Sequence, residues 1–195
     1  MDIPMFPSHI EVGYHTTNAE GKPLKEPIHS KWVKDKRDSY CGSGYYFWEN
    51  NIDQAKFWGE FKYSRKQIEY CIYETTMNFD GKTGKVLNLV GNRRHLEYIF
   101  KSFQEVSAFV EDGELANWSL GQSFEMLKRY FTEDELPFDA VRVVESKQNG
   151  LTKKMNFKAN SDKSYVIFNP VIIVCYIKSK IKDLTLVDFK LVTDE

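Results

Sequence analysis

The sequence predicts one α+β domain, and three observations carry the prediction. Period-two runs of apolar and β-branched residues sit toward both ends of the chain, and residues 92–130 switch to spacings of three and four. No Pro/Gly/Ser-rich linker, internal repeat or low-complexity tract divides the 195 residues. A chain of this length, 42% hydrophobic and 15% aromatic, buries a core without disulfide or metal staples. Strands at both ends with helices between them define the class.

Residues 9–15 read as a first strand, with Ile10, Val12 and Tyr14 on one side. Gly21-Lys22-Pro23 and Glu26-Pro27 break residues 18–31 into a loop or weak helix, and residues 32–41 form a charged surface loop. Gly42-Ser43-Gly44 then makes a turn in which the glycines let the backbone approach a ligand, and Tyr45-Tyr46-Phe47-Trp48 makes an aromatic strand. Asn50 or Asn51 caps a helix over residues 53–61 whose apolar content is Ala55, Phe57 and Trp58. Ile68, Tyr70 and Ile72 alternate in a strand over residues 65–75, and residues 85–89 form a short strand after the turn at residues 79–84. Leu96, Ile99, Phe100, Phe103, Val106 and Val110 mark an amphipathic helix; beyond Gly113, Phe124, Leu127 and Phe131 mark a second, and Pro137 ends the helical region. Strands follow over residues 138–144, 164–168 and 172–177, with a polar loop over residues 145–163 and a terminal edge strand over residues 184–192.

A formal net charge of -1 gives no overall pull toward nucleic acid or an anionic membrane, and the basic runs at residues 31–37 and at Lys153, Lys154 and Lys158 read first as solvated faces. Three cysteines, Cys41, Cys71 and Cys175, lack short-range partners and zinc-ligand spacing, which points to reduced thiols in a cytoplasm and to no metal. Cys71 and Cys175 lie in apolar strand-like runs that bury them. The first residues have neither a basic nor an apolar signal region, and the longest apolar run, residues 171–177, is too short to span a bilayer.

The strand ending in His15-Thr16-Thr17, the run Gly44-Tyr45-Tyr46-Phe47 and the helix bearing Gln54-Ala55-Lys56-Phe57 together resemble the ADP-ribosyltransferase superfamily, in the branch of diphtheria toxin and the poly(ADP-ribose) polymerases. The resemblance spans residues 10–178 of a single domain over residues 1–195 and implies a split β-sandwich of two small, roughly orthogonal sheets with a helical insert. It implies NAD as substrate, with no metal. It places His15, Thr16, Thr17, Gly44, Tyr45, Tyr46, Gln54 and Phe57 on NAD: His15 on the adenosine-side ribose, Tyr46 and Phe57 stacked on the nicotinamide, Gln54 bonded to its amide. Tyr46 and Phe57 are then expected to face each other across a pocket.

In the family a glutamate holds the nicotinamide ribose, and here Ser164 stands in its place. A serine hydroxyl bonds a ribose hydroxyl but is no carboxylate toward an oxocarbenium. Three explanations compete: another acid replaces it, with Glu145, Asp162 and Glu49 as candidates and Glu145 first because it ends a strand; substrate supplies the missing group or positioning alone suffices; or the chain binds NAD without turnover. Similar small bacterial proteins vary at this position and often act as toxins or phage-defence effectors. The expected activity is therefore mono-ADP-ribosyl transfer to a protein, RNA or DNA acceptor in the cytoplasm, with an antitoxin or inhibitor protein as partner and no membrane. The competing readings are a non-catalytic NAD or ADP-ribose binding module and an RNA 2′-phosphotransferase-like enzyme, the latter lacking a basic pattern beyond Arg142.

Overall fold

A computed structural model describes residues 9–20, 26–31, 41–79, 86–107, 119–130, 138–145, 153–156, 165–168, 171–176 and 181–190. Among these residues, nine strands and three α-helices follow in the order β1 (His9–Asn18), β2 (Tyr45–Glu49), α1 (Ile52–Lys62), β3 (Tyr70–Phe79), β4 (Val86–Asn88), α2 (Arg93–Ser107), α3 (Leu120–Tyr130), β5 (Ala140–Val144), β6 (Lys153–Asn156), β7 (Tyr165–Phe168), β8 (Val171–Cys175) and β9 (Thr185–Lys190). The class is α+β.

Two sheets form, in a different partition from two small ones. Seven strands join in the order β4-β5-β8-β2-β1-β3-β9, and β6 pairs with β7 alone. The reason lies in β2, which pairs with β8 on one side and with β1 on the other. The second junction is narrow. β1 and β2 share the register pairs Gly13↔Glu49 and Tyr14↔Trp48, whereas β1 and β3 stay paired from His9↔Phe79 to Asn18↔Tyr70. A four-strand half and a three-strand half therefore meet at a seam, and β1 and β2 part beyond it.

β4 and β5 run parallel, a pairing that needs a long crossover, and α2 and α3 lie within it. One sheet face packs on the helices through Trp48, Ile72, Val141, Val143, Ile172 and Val174; the other gathers Phe47, Met77, Val86, Ala140 and Ile173. On α2 the buried side is built from His95, Tyr98 and Ile99, while Phe100, expected inside, is 66% exposed. In β1 the buried positions are Gly13, His15 and Thr17, with Val12 and Tyr14 half-buried. Cys41, Cys71 and Cys175 are buried thiols.

Asn51 caps α1, its side-chain oxygen accepting from the Gln54 N–H at 2.9 Å, and Asp53 and Lys62 complement the helix dipole. Gly59 brings α1 against β3: a Cβ there would overlap the buried Tyr70 ring, whose hydroxyl donates to Glu60 at 3.1 Å. Gly59→Ala should therefore lose about 1–2 kcal/mol in urea denaturation, overpacking outweighing the better helix propensity of alanine. A neutral or stabilising result would show that Tyr70 moves aside at no cost.

Three expectations change here. Lys153–Asn156 is a strand inside the stretch read as polar loop, stabilised by backbone pairing from Lys153↔Phe168 to Asn156↔Tyr165 and not by apolar alternation. β7 joins β6 and not the main sheet; Asn169-Pro170 separates it from β8, and proline supplies no ladder N–H. β3 begins at Tyr70, after a 3-10 turn at Ser64–Lys66 and a left-handed Gln67 (φ 56°). β9 is an edge strand, as its position at the chain's end suggests.

Candidate functional site

Where β1 leaves β2, the gap is bridged by His15. Its Nδ1–H donates to the Tyr46 carbonyl at 3.0 Å, and its Nε2 accepts from the Ile28 N–H at 3.3 Å, which fixes a neutral ring with the proton on Nδ1. Residues 26–31 lie alongside. Ser30 and Gly44 exchange two backbone hydrogen bonds of 2.9 Å, and the His29 ring meets the edge of Tyr45 at 4.9 Å.

A cavity of about 200 Å³ opens at this seam. β1 contributes His15, Thr16 and Thr17, β2 contributes Tyr46 and Trp48, α1 contributes Trp58 and Lys62, and the end of β5 contributes Glu145. Ligand pockets for drug-sized molecules run from roughly 300 Å³ upward, so this one suits a single ring system. Aromatic residues, two threonines and one glutamate line it.

Tyr46 is locked from below. Its hydroxyl donates to the Gly42 carbonyl at 2.6 Å and accepts from the Cys41 N–H at 3.1 Å, while the Tyr176 hydroxyl donates to the Cys41 carbonyl at 2.9 Å. Burial keeps the Tyr46 phenol well above its ordinary value. It also pushes the Cys41 thiol up to about 12, helped by the charge of Glu145 and opposed by Lys128.

The Gly42–Gly44 turn is held by α3. Glu125 accepts from the Ser43 N–H at 2.5 Å, and Lys128 donates to Glu125 at 2.8 Å and to the Ser43 carbonyl. Burial weighs more on Lys128, which lies below its ordinary value. On Glu125 burial acts upward, but the hydrogen bonds from Lys128 and Ser43 outweigh it and hold the carboxyl low. The glycines answer to this packing. Gly42 has φ +82° and a Cβ there would stand 2.6 Å from Glu125 Oε1, while one at Gly44 would stand 2.7 Å from Val174. Backbone approach to α3 and β8, and not to a ligand, accounts for both.

Of the residues singled out from sequence, His15, Thr16, Thr17, Tyr46 and Glu145 share the cavity. The Thr16 hydroxyl donates to the Ala55 carbonyl at 2.9 Å, tying β1 to α1. Gly44, Tyr45, Gln54 and Phe57 stand off the cavity. Gln54 is buried beside Ala55, Phe57 is half-buried, and the α1 ring in the wall is Trp58. One helical residue turns a side chain by roughly 100°, so a motif placed one position out aims the ring elsewhere. Helical spacing was the available signal, because Trp58 and Lys62 stand four apart on one face. Ile28, His29 and Ser30 also line the cavity, and no local pattern marks them.

Glu49 is committed to an ion pair. Arg142 Nη2 lies 2.7 Å from each carboxylate oxygen and Nε 3.2 Å from Oε2. Burial pushes Glu49 above the ordinary carboxylate range, and Arg142 draws it part of the way back. Ser164 and Asp162 lie outside the described residues, as do Lys158 and all but Lys31 of the 31–37 run. Among the described residues no His/Cys/Asp/Glu group is arranged to hold a metal ion, and no helix is long and apolar enough to cross a membrane.

Comparison with protein-family models, curated proteins and solved structures returns no match.

Proposed function

We propose that this chain is an NAD-dependent mono-ADP-ribosyltransferase with a split-sheet fold, and that the seam cavity receives the nicotinamide end of NAD. The observation that carries the proposal is the convergence of His15, Thr16, Thr17, Tyr46 and Glu145, from three separate strands, on one cavity at the point where β1 and β2 part. In the reaction the bond between the nicotinamide nitrogen and the ribose C1′ breaks, its electron pair leaving with neutral nicotinamide. The acceptor nucleophile attacks C1′ and loses its proton. Tyr46 and Trp58 supply flat walls for the nicotinamide, and the Glu145 carboxylate stabilises the positive ribose and takes the proton. His15 reaches a ribose hydroxyl through Nε2 once Ile28 releases it.

Arg142, the arginine that a phosphotransferase would need, is bound to Glu49 and does not line the cavity, which weakens that alternative. The binding-module reading keeps one observation in its favour, the serine at position 164. Titration of NAD into variants tests the site. Tyr46→Ala should weaken binding by about 1–2 kcal/mol, about 5- to 30-fold in Kd, and Trp58→Ala by a similar amount. Phe57→Ala should leave Kd unchanged. Equal affinity in folded Tyr46→Ala would remove the stacking role.

A further inference from the structure

The C-terminal end of α1 carries a basic and aromatic patch that reaches beyond the cavity wall. From Phe61 to Ile68 the chain holds Lys62, Arg65 and Lys66 and no carboxylate, although the whole protein has a net charge of -1. The preceding acid, Glu60, is taken up by Lys190 and the Tyr70 hydroxyl. The cations are interleaved with rings. The Lys62 ammonium lies 5.4 Å from the Trp58 ring centre and 5.7 Å from that of Tyr63, and the Arg65 guanidinium lies 4.8 Å from that of Phe61. Trp58 and Phe61 have centroids 6.1 Å apart with their planes inclined by 31°. Phe61 is 40% exposed, and Arg65 and Lys66 are exposed too. Trp58, Lys62 and Tyr63 belong at the same time to the cavity wall, so the patch starts at the site and runs outward over the surface.

Cations held beside exposed aromatic faces are the chemistry that binds single-stranded nucleic acid: each base has a flat face to stack, and each phosphate a charge to neutralise. An acidic peptide would use the charges and leave the exposed Phe61 without a role. We propose that this face is an acceptor track for single-stranded DNA or RNA, which leads a nucleotide to the cavity past Lys62. The word acceptor rests on the transferase reading; the binding itself does not.

The test is fluorescence anisotropy of short, labelled single-stranded DNA and RNA oligonucleotides without NAD, over a salt series. Three phosphate contacts predict a slope of log affinity against log salt of about −2, and Arg65→Ala or Lys66→Ala should each reduce its magnitude by about 0.7. Phe61→Ala should weaken binding about tenfold. Cleavage of NAD by water should stay unchanged in Phe61→Ala and Arg65→Ala. No oligonucleotide binding, or binding that all three folded variants retain in full, overturns the proposal. So does AMP binding that Arg65→Ala and Phe61→Ala impair while oligonucleotide binding survives, which would make the face an adenylate seat. If oligonucleotides bind as expected but wild-type protein never cleaves NAD, the transferase reading fails and the track stands.

Discussion

Arg142→Met should unfold with about 3–5 kcal/mol less free energy than the parent at neutral pH. The substitution leaves the Glu49 carboxylate, whose side chain is 5% exposed, without the guanidinium that now faces both of its oxygens. The loss should depend on pH. Burial already pushes Glu49 above its ordinary value, and removing Arg142 removes the influence that opposes burial. With the folded-state value raised above the unfolded one, stability is retained below the ordinary carboxylate range and drains away as pH rises through the folded value. Denaturation at about pH 4 and about pH 7 should show a small deficit at the first and the full deficit at the second. Adding Glu49→Gln to Arg142→Met should recover most of the loss. A deficit independent of pH would mean that packing, and not the stranded charge, is responsible.

Glu145→Gln should lower NAD turnover by about 10²–10³-fold while leaving NAD affinity within a few-fold of the parent. Glu145 is the one carboxylate on the cavity among the described residues, and glutamine keeps its shape while removing both the charge and the basic oxygen. Ser164→Glu should raise turnover, because it restores a carboxylate where the resembled family has one. Full turnover in Glu145→Gln would discard the residue. No turnover by the parent with any acceptor, together with measurable NAD affinity, would establish the binding module instead.

Local sequence carried much of the fold. The alternation around Ile72, the spacing of Leu96, Ile99 and Phe103, and the Asn51 cap each reflect contacts within one element, and each appears in the structure. Legibility stops where a residue's role is set by a distant partner. The glycines of the 42–44 turn answer to Glu125 and Val174, more than eighty residues away, so they looked like ligand glycines. Phe100 fits the apolar spacing of α2 but faces solvent, because the sheet meets the helix through Tyr98, Ile99 and the buried His95. β6 is held by its hydrogen bonds to β7, and Lys-Lys-Met-Asn has no apolar pattern to announce it. Of the candidates read from sequence, His15, Tyr46 and Glu145 do meet at one cavity, because each is carried there by a strand or strand end. Trp58 was missed by one helical position, and the hold of Ile28 on His15 by its dependence on a segment without periodicity.

The most direct measurement is a crystal structure of the protein grown with NAD or a nicotinamide mimic. The nicotinamide ring is expected in the seam cavity, at stacking distance from Tyr46 and Trp58, with the adjoining ribose beside Glu145 and the Ile28 N–H drawn away from His15 Nε2. Density for the ligand elsewhere on the protein, with the His15–Ile28 contact intact and the cavity unfilled at saturating ligand, would contradict this placement.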